Sequence, residues 1–265
     1  MKKVLLIGGS DSGAGAGIQA DLKVVTAVGV YGTTVITTLT AQNTLGVQEI
    51  CPVPPAFVAQ QIDSIMQDIG TDALKTGMLL NKDIVKVVAA KIREYGIEKV
   101  VVDPIILSKG GYALLKEDAV EVLKSELLPI SFLVMPNISE AERLTGVSIE
   151  KSSDKREAAE RLHYLGARNV LIKGGHFRSA KEVEDLFYDG NQFTLLPATR
   201  IEGVNLHGSG CILASLVSAA LAKGFESLAA IYFAREHLLK VMTNPLRIGN
   251  GYEVMNPSFL FKDSP

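Results

Sequence analysis

The chain has 265 residues, of which 47% are hydrophobic and 21% are charged, and its formal net charge is −2. Acidic and basic residues are balanced without long runs of one sign, which argues against nucleic acid or a membrane surface as a partner and favours small-molecule ligands. The two cysteines, Cys51 and Cys211, have no CxxC or metal-finger spacing. A disulfide framework is therefore excluded, and a reducing, cytosolic setting is expected.

The N-terminal residues predict a buried strand. Four apolar residues, Val4–Ile7, separate Lys3 from Gly8, and this run is too short for a signal peptide or a membrane span. Similar β-rich runs follow at Thr33–Thr40, Asp72–Lys75, Lys99–Asp103, Phe132–Met135 and Asn169–Lys173. Between them, apolar residues recur at helical spacing at Ile18/Leu22/Val25, Val58/Ile62/Ile65/Ile69, Val85/Val88/Ile92 and Ala158/Leu162/Leu165.

This alternation predicts an α/β fold with one doubly wound, mostly parallel sheet and helices on both faces. Val100–Val102 is apolar throughout, as expected for a strand that is covered on both sides. Glu184–Tyr188 and Gln192–Leu196 flank Asp189-Gly190-Asn191, which predicts a hairpin at an antiparallel edge of the sheet. The chain closes with two helical patterns, at Gly210–Lys223 and Leu228–Met242. With no linker or repeat, a single domain over residues 1–265 is expected.

Polar and glycine residues cluster directly after the predicted strands. In open parallel sheets, ligands bind beyond the carboxyl ends of the strands, so these residues are expected to face one crevice. They are Gly8–Gly17, Gln42-Asn43, Thr76-Gly77, Asp103, Asn137 and Lys173-Gly174-Gly175.

The first glycine-rich loop, Gly8–Gly17, fits none of three common motifs. A P-loop requires lysine where Ala14 stands, a dinucleotide fingerprint requires a small residue in place of Ile18, and a nucleophile elbow requires serine in place of Asp11. What remains is a backbone-rich loop that leads into a helix carrying Asp21. A simple strand-to-helix turn is the alternative.

A second glycine turn, at Gly208-Ser209-Gly210-Cys211 within 204–214, runs directly into an apolar helix. Unpaired backbone N–H groups converge at such a helix start, and together with the helix dipole they favour an anion. The same position is expected to stabilise a thiolate at Cys211 relative to its usual pKa. A phosphate cradle with an ionisable group at its edge suits phosphoryl transfer, and a structural cysteine is the alternative.

Three further strand ends carry candidate ligands. A carboxylate at Asp103 ends a buried strand, which favours a metal or phosphate-side role. Asn137 followed by Glu140 fits a helix capping box, with a Mg²⁺ role left open. Lys173 is either a solvated charge or a phosphate clamp. Together these are the parts of a kinase without a P-loop.

In this order, the residues resemble the ribokinase superfamily, and within it the hydroxymethylpyrimidine/phosphomethylpyrimidine kinases of thiamine biosynthesis. The resemblance spans nearly the whole chain. It is carried by Gly9-Ser10-Asp11-Ser12 with Gly15–Lys23, Leu39–Thr44, Lys75–Leu79, Val102-Asp103-Pro104, Pro136–Glu142, Lys173–His176 and His207–Cys211.

The resemblance implies a three-layer ribokinase-like fold and an enzyme that uses ATP and Mg²⁺ to phosphorylate 4-amino-5-hydroxymethyl-2-methylpyrimidine and then its monophosphate. It also implies a cytoplasmic homodimer, for which Val35–Leu39 with Ile50 is a candidate interface, and burial of the same residues in the core is the alternative. By position it assigns Gly9, Asp21, Gln42, Met78 and Leu107 to binding of the pyrimidine, and Lys173, Asn137 and His207 to binding of ATP. It assigns Asp103 and Glu140 to Mg²⁺, and Gly208, Ser209 and Gly210 to an anion hole. Cys211, beside that hole, stands where related sugar kinases carry an aspartate base.

The sequence departs from the family pattern at several positions. Ala14 replaces a common glycine, Leu206 and Ser209 stand where threonines are usual, Leu107 replaces a valine, and residues 110–112 lack a frequent Ser-Gly-Asp. None of these changes removes a polar group that the chemistry requires.

Three alternatives stay open from the sequence. Pyridoxal kinase is the nearest, but the amide of Gln42 both donates and accepts, which matches the edge of an aminopyrimidine. A nucleotide-dependent oxidoreductase is disfavoured by Ile18 and by the second glycine turn. A non-catalytic pyrimidine-binding protein would not be expected to keep Lys173, Asp103 and Cys211 together.

Overall fold

The computed structural model describes residues 1–107, 114–174, 182–199 and 206–263, and within these ranges nine strands form one sheet. They are β1 (Lys3–Asp11), β2 (Tyr31–Asn43), β3 (Gly46–Pro52), β4 (Ala73–Thr76), β5 (Val100–Val102), β6 (Leu133–Val134), β7 (Asn169–Ile172), β8 (Glu182–Tyr188) and β9 (Phe193–Thr199). A separate two-stranded sheet pairs β10 (Leu206–His207) with β11 (Glu253–Val254).

The helices connect successive strands and close the chain. They are α1 (Gly17–Ala27), α2 (Pro55–Asp68), α3 (Lys82–Glu94), α4 (Glu117–Val122), α5 (Ile138–Thr145), α6 (Ser152–Tyr164), α7 (Ser209–Ala222) and α8 (Ser227–Met242). The α4 helix continues through a π-helical turn (Leu123–Leu127) and a 3-10 turn (Leu128–Ile130), and another 3-10 segment spans Pro257–Asp263. No helix in the described ranges combines the length and the apolarity that a bilayer crossing requires.

The strand order is β3-β2-β1-β4-β5-β6-β7-β8-β9, with parallel pairing from β2 to β7. The pairs β2/β3, β7/β8 and β8/β9 are antiparallel. The predicted doubly wound α/β sheet is therefore confirmed, and the predicted hairpin forms one antiparallel edge.

Alternate residues of the central strands enter two separate cores. Val100 and Val102 join the core under α2, α3 and α6, whereas Val101 joins the core under α1, α7 and α8. Because successive strand side chains point to opposite faces, a run of three buried valines requires a covering layer on each side. This arrangement gives the three-layer architecture.

The opposite edge of the sheet was not predicted from the sequence. β2 runs past the predicted Thr40 to Asn43 and turns back as β3, which pairs with it in antiparallel register. The apolar residues of β3, Val47 and Ile50, are three residues apart, so β3 lacks the alternating apolar pattern that marks a half-buried strand, and none of its residues is fully buried. In the proposed interface strand, Val35 lies in the core while Leu39 is 47% exposed.

Candidate active site

The carboxyl ends of the parallel strands bring the predicted ligand residues to one edge of the sheet. The N–H of Asp103 donates to Thr76 O at 3.1 Å, directly after β4 and β5. The N–H of Lys173 donates to Pro136 O at 2.8 Å, and Asn137 forms a parallel bridge with Lys173. The strand ends after β4, β5, β6 and β7 therefore stand side by side, as the sequence predicts.

Asp103 and Lys173 form an ion pair at the start of α7. The Lys173 Nζ lies 2.7 Å from Asp103 Oδ1, and Asp103 is 2% exposed. A Cβ added to Gly210 would lie 3.3 Å from Lys173 Nζ and 3.9 Å from Asp103 Oδ2. The second glycine turn thus faces the ion pair, and the absence of a side chain at Gly210 leaves the space between them open.

The charge on Lys173 is favoured by its neighbours. Burial would lower the pKa of this ammonium, but Asp103 and Glu140 outweigh that effect and raise the pKa above its usual range. A lysine that stays protonated at this position can form charge-assisted hydrogen bonds with an anion.

Glu140 combines a capping role with a position beside the ion pair. Its Oε2 accepts the Asn137 N–H at 2.7 Å while its own N–H donates to Asn137 Oδ1 at 2.9 Å, which completes the predicted capping box of α5. Burial, followed by Asp103, raises the pKa of the Glu140 carboxyl to about 7 against the opposing effect of Lys173. Burial and the nearby Asp103 carboxylate therefore disfavour the charged form of Glu140.

The first glycine loop is filled by its own aspartate. Asp11 Oδ1 accepts the Gly13 N–H at 2.8 Å, and Oδ2 accepts the N–H groups of Gly15 at 3.0 Å and Ala16 at 2.8 Å. These donors precede α1, so the Asp11 carboxylate occupies the place that an anion would take. Gly17 is required here, because its φ is +60° and a Cβ would lie 2.5 Å from Gly9 O.

The second glycine turn has no such internal acceptor among the described residues. Gly208 has φ +86° and begins α7, whose first helical hydrogen bond runs from the Ile212 N–H to Gly208 O at 3.1 Å. The N–H groups of residues 209–211 come before that bond and have no carbonyl partner within the helix. They are available to an anion that lies beside Lys173.

The environment of Cys211 corrects one expectation. Burial raises the pKa of the thiol to about 12, with Asp21 and Asp103 acting in the same direction and Lys75 and the Gly17 N–H acting against it. The predicted lowering of this pKa by the helix N-terminus is therefore wrong. Desolvation and two carboxylates outweigh the Lys75 ammonium and the Gly17 N–H.

A buried polar cluster below the turn was missed by the sequence analysis. Lys75 Nζ lies 2.8 Å from Asp21 Oδ2, both side chains are 1% exposed, and Ser215 Oγ donates to Asp21 Oδ1 at 2.8 Å. Asp21 thereby joins α1, β4 and α7 one helical turn after Cys211. The two oxygens of Asp21, which the family pattern assigns to the pyrimidine, are here bound to Lys75 and Ser215.

Of the remaining predicted substrate residues, Gly9, Met78 and Gln42 lie at the first loop. A Cβ on Gly9 would lie 3.2 Å from Met78 Sδ, so these two residues are in contact. The backbone of Gln42 is held by Ser12 Oγ, which accepts the Gln42 N–H at 2.9 Å and donates to Gln42 O at 2.7 Å, while Thr40 Oγ1 donates to the side-chain Oε1. Leu107, after β5, is 39% exposed.

Some predicted residues lie outside the description. The backbone of His207 belongs to β10, but its side chain is not described. Residues outside the described ranges include Gly175 and His176 of the Lys173 motif, the first two residues of the 204–214 turn, and the departure at residues 110–112.

The sheet is ribokinase-like, and its edge combines a lysine, two carboxylates and an open glycine turn at a helix start. These features are those of a kinase that transfers phosphoryl groups to small molecules. A family model described as phosphomethylpyrimidine kinase matches residues 11–256. The chain belongs to the phosphomethylpyrimidine kinase family, and the resemblance seen in the sequence is confirmed.

Individual relatives support this assignment. The chain is 44% identical over 260 residues to the hydroxymethylpyrimidine/phosphomethylpyrimidine kinase of Bacillus subtilis, which covers 98% of this chain and 96% of that protein. It is 49% identical over 253 residues to the thiamine biosynthesis bifunctional protein ThiED of Geobacter sulfurreducens, which covers 96% of this chain, but it spans about half (51%) of that protein. The ADP complex of Bacillus subtilis pyridoxal kinase superposes with a TM-score of 0.91 at 34% identity, over 99% of this chain and 100% of that one.

Proposed function

We propose that this protein uses ATP and Mg²⁺ to phosphorylate 4-amino-5-hydroxymethyl-2-methylpyrimidine and then phosphorylates the monophosphate to the diphosphate. The observation that carries the proposal is the position of Gly210, because its missing side chain leaves space between the α7 amides, Lys173 Nζ and Asp103. Negative charge that develops on a transferred phosphoryl group would be stabilised there by backbone N–H groups and one ammonium.

The donor set beside this space fits a magnesium ion. No group of three or more acidic, cysteine or histidine side chains is gathered into a metal cluster in the described ranges. Mg²⁺ is commonly bound through one or two carboxylates with the remaining ligands from water and substrate phosphates, and Asp103 and Glu140 supply two carboxylates. When bound, the ion would neutralise phosphate charge, and it would also favour the ionised form of Glu140, whose pKa burial and then Asp103 raise to about 7.

The role of Glu140 can be tested through the metal rather than through turnover alone. Glu140→Gln keeps an oxygen that accepts the Asn137 N–H, so the capping box and the fold are expected to survive. Half-maximal activity should then require about tenfold more Mg²⁺, and the Mg²⁺-induced rise in melting temperature in the presence of ADP should shrink. An unchanged Mg²⁺ requirement would contradict the assignment of Glu140 to the metal.

The two phosphorylation steps differ in whether they need Cys211 as a proton acceptor. In the first step a primary alcohol loses a proton, and the Cys211 thiolate is the proposed acceptor. In the second step the acceptor is already a phosphate, so positioning and charge stabilisation suffice. With a Cys211 pKa of about 12, thiolate is scarce at neutral pH, so the first step should become faster as the pH rises.

The proposed substrate is a pyrimidine because of Gln42. Its amide can both donate and accept a hydrogen bond, as an aminopyrimidine edge requires. The alternative is pyridoxal or pyridoxine, which is supported by the likeness to a pyridoxal kinase structure at 34% identity. The relatives described as pyrimidine kinases reach 44% identity over nearly the whole chain, which favours the pyrimidine.

One assay tests this proposal. Purified protein is incubated with ATP, Mg²⁺ and the pyrimidine alcohol, and mass spectrometry follows the appearance of the monophosphate and then the diphosphate. Pyridoxal is assayed in parallel, and a reaction without ATP serves as the control. Faster turnover of pyridoxal would reverse the choice of substrate, and no phosphorylation of either alcohol would refute the kinase assignment.

We further propose that the protein acts as a homodimer and that residues 1–265 form one domain. The 47% exposure of Leu39 on β2, close to the β3 edge, supports a contact between copies on this side of the sheet. Light scattering of the purified protein gives the mass that tests the dimer.

A further inference from the structure

The C-terminal segment of residues 246–254, called the strap below, touches three loops of the candidate site. It folds back on itself, since the Leu246 N–H donates to Val254 O at 2.8 Å and the Val254 N–H donates to Leu246 O at 3.1 Å. An ion pair between Arg247 and Glu253 joins its two arms. The strap is therefore a structured loop and not a trailing end.

The strap is hydrogen-bonded to Thr44, which lies in the turn between β2 and β3, two residues after Gln42. The Tyr252 N–H donates to Thr44 O at 2.8 Å and the Gly251 N–H donates to Thr44 Oγ1 at 3.3 Å. A Cβ on Gly251 would lie 2.0 Å from Thr44 O, and one on Gly249 would lie 2.3 Å from Thr44 Oγ1. A residue with a Cβ could not approach Thr44 this closely, so both glycines are needed for the contact.

The other arm of the strap holds the entry to the anion turn. β11 pairs in parallel with β10, with Leu206 opposite Glu253 and His207 opposite Val254, and Gly208 follows immediately. Val254 also packs on the first glycine loop, where a Cβ on Gly15 would lie 2.7 Å from its Cγ1. A cavity of about 520 Å³ lies behind this contact, lined by Gly13 and Ala14 of that loop together with α1 and the strap.

We propose that the strap positions the pyrimidine-side turn and the phosphate-side turn relative to each other, with Thr44, Gly251 and Val254 as positioning residues. This inference rests on the proposed function, because it assumes that ring and phosphate bind at these two turns. Because one backbone segment is hydrogen-bonded to both turns, fixing the conformation of one turn also helps to fix the conformation of the other. Binding of nucleotide and pyrimidine should therefore be mutually reinforcing, by the same factor in each direction.

The experiment measures the factor by which nucleotide tightens the binding of the pyrimidine. Calorimetry gives the dissociation constant of the pyrimidine alcohol with and without the β,γ-methylene analogue of ATP, and the ratio of the two is the coupling. We expect about tenfold tightening in the protein as it stands and a ratio near one in Gly251→Ala. The control is Gly224→Ala, which places the same residue at φ +96° in open space far from the strap and should keep the full ratio.

A milder pair of variants covers the case in which Gly251→Ala does not fold. Thr44→Val keeps the shape of the side chain and removes the hydroxyl that accepts the Gly251 N–H, whereas Thr44→Ser keeps that acceptor. The ratio should fall in the first and be retained in the second. A full ratio in folded Gly251→Ala or Thr44→Val, or a ratio of one in the unmodified protein, would overturn the inference. Absence of pyrimidine binding in the unmodified protein would count against the proposed function instead.

Discussion

The two glycine turns of this chain look alike in sequence and differ in what occupies them. Each leads into the N-terminus of a helix, α1 or α7, and each gathers backbone N–H groups there. In the first turn the Asp11 carboxylate accepts three of those N–H groups, so the site is already filled. In the second turn no described side chain does so, and Lys173 stands opposite. Glycine content therefore marks both as anion sites, but only the second is free to bind one.

The filled turn supports the open one. A Cβ on Gly208 would lie 2.4 Å from Gly15 O, which shows how closely the two backbones approach. Because Asp11 fixes Gly15, it also fixes the surface on which Gly208 rests. The first turn therefore holds the second in place, and the second presents the backbone N–H groups.

The largest effect is expected from Gly208→Ala. The substitution forces a side chain into φ +86° and against Gly15 O, so the amides of residues 209–211 move away from the phosphoryl group. Loss of a preorganised amide donor typically costs about 10²–10³-fold in rate, and both phosphorylation steps should fall by this factor. Rates of each step are measured separately, with Gly224→Ala as the control for backbone strain alone. A loss confined to one step would show that the turn does not serve both.

Cys211→Ala should separate the two steps. Removal of a general base costs about 10²-fold or more, so the first step should slow by that factor while the second changes less than about threefold. The other cysteine offers the control, because Cys51→Ala alters an exposed thiol and should leave both steps intact. Equal losses in both steps would assign Cys211 to packing.

The pH profile gives an independent readout of the same residue. Below a pKa of about 12 the thiolate fraction grows tenfold per pH unit, so the first-step kcat/KM should rise with a slope near one between roughly pH 7 and 9. Cys211→Ala should flatten that rise. A flat profile in the unmodified protein would exclude the thiolate as the proton acceptor.

Asp11→Ala tests the filled turn. It removes a charged acceptor from three buried or partly buried N–H groups, and we expect a loss of about 2–4 kcal/mol in unfolding free energy. Urea unfolding measures that loss, and Asp68→Ala, with a side chain outside the loop, is the control. Added sulfate should restore part of the stability of Asp11→Ala, because it can occupy the vacated donors. If Asp11→Ala is as stable as the unmodified protein, the contrast between the two turns does not hold.

How much of this was visible in the sequence depends on the range of the interaction. Val100–Val102 predicted a strand that is covered on both sides, and the order of strand ends predicted that Asp103, Asn137 and Lys173 would meet. Local patterns and parallel topology suffice for both. By contrast, β3 packs Ile50 on the core, but its apolar residues Val47 and Ile50 do not alternate with polar ones, so no strand pattern was detectable.

Contacts between distant residues were not predictable in the same way. Asp21 binds Lys75, 54 residues away, and Ser215, 194 residues away, and no local spacing encodes either contact. The error on the Cys211 pKa has the same origin. The helix start is visible in the sequence, whereas the burial and the carboxylates that raise the pKa come from other parts of the chain, with Asp21 on α1 and Asp103 after β5.

The smallest effect is expected at Ala14, in the first glycine loop. Its φ is +55°, a conformation that costs a residue with a Cβ about 1 kcal/mol relative to glycine, although the greater freedom of glycine in the unfolded chain offsets part of the gain. Ala14→Gly should therefore raise the unfolding free energy by less than about 1 kcal/mol. Its N–H bond to Asp11 O at 2.9 Å stays in place, so activity should not change. Chemical denaturation resolves the difference, and a clear loss of stability would mean that the Ala14 methyl group contributes packing in the cavity behind the first turn that outweighs its strain.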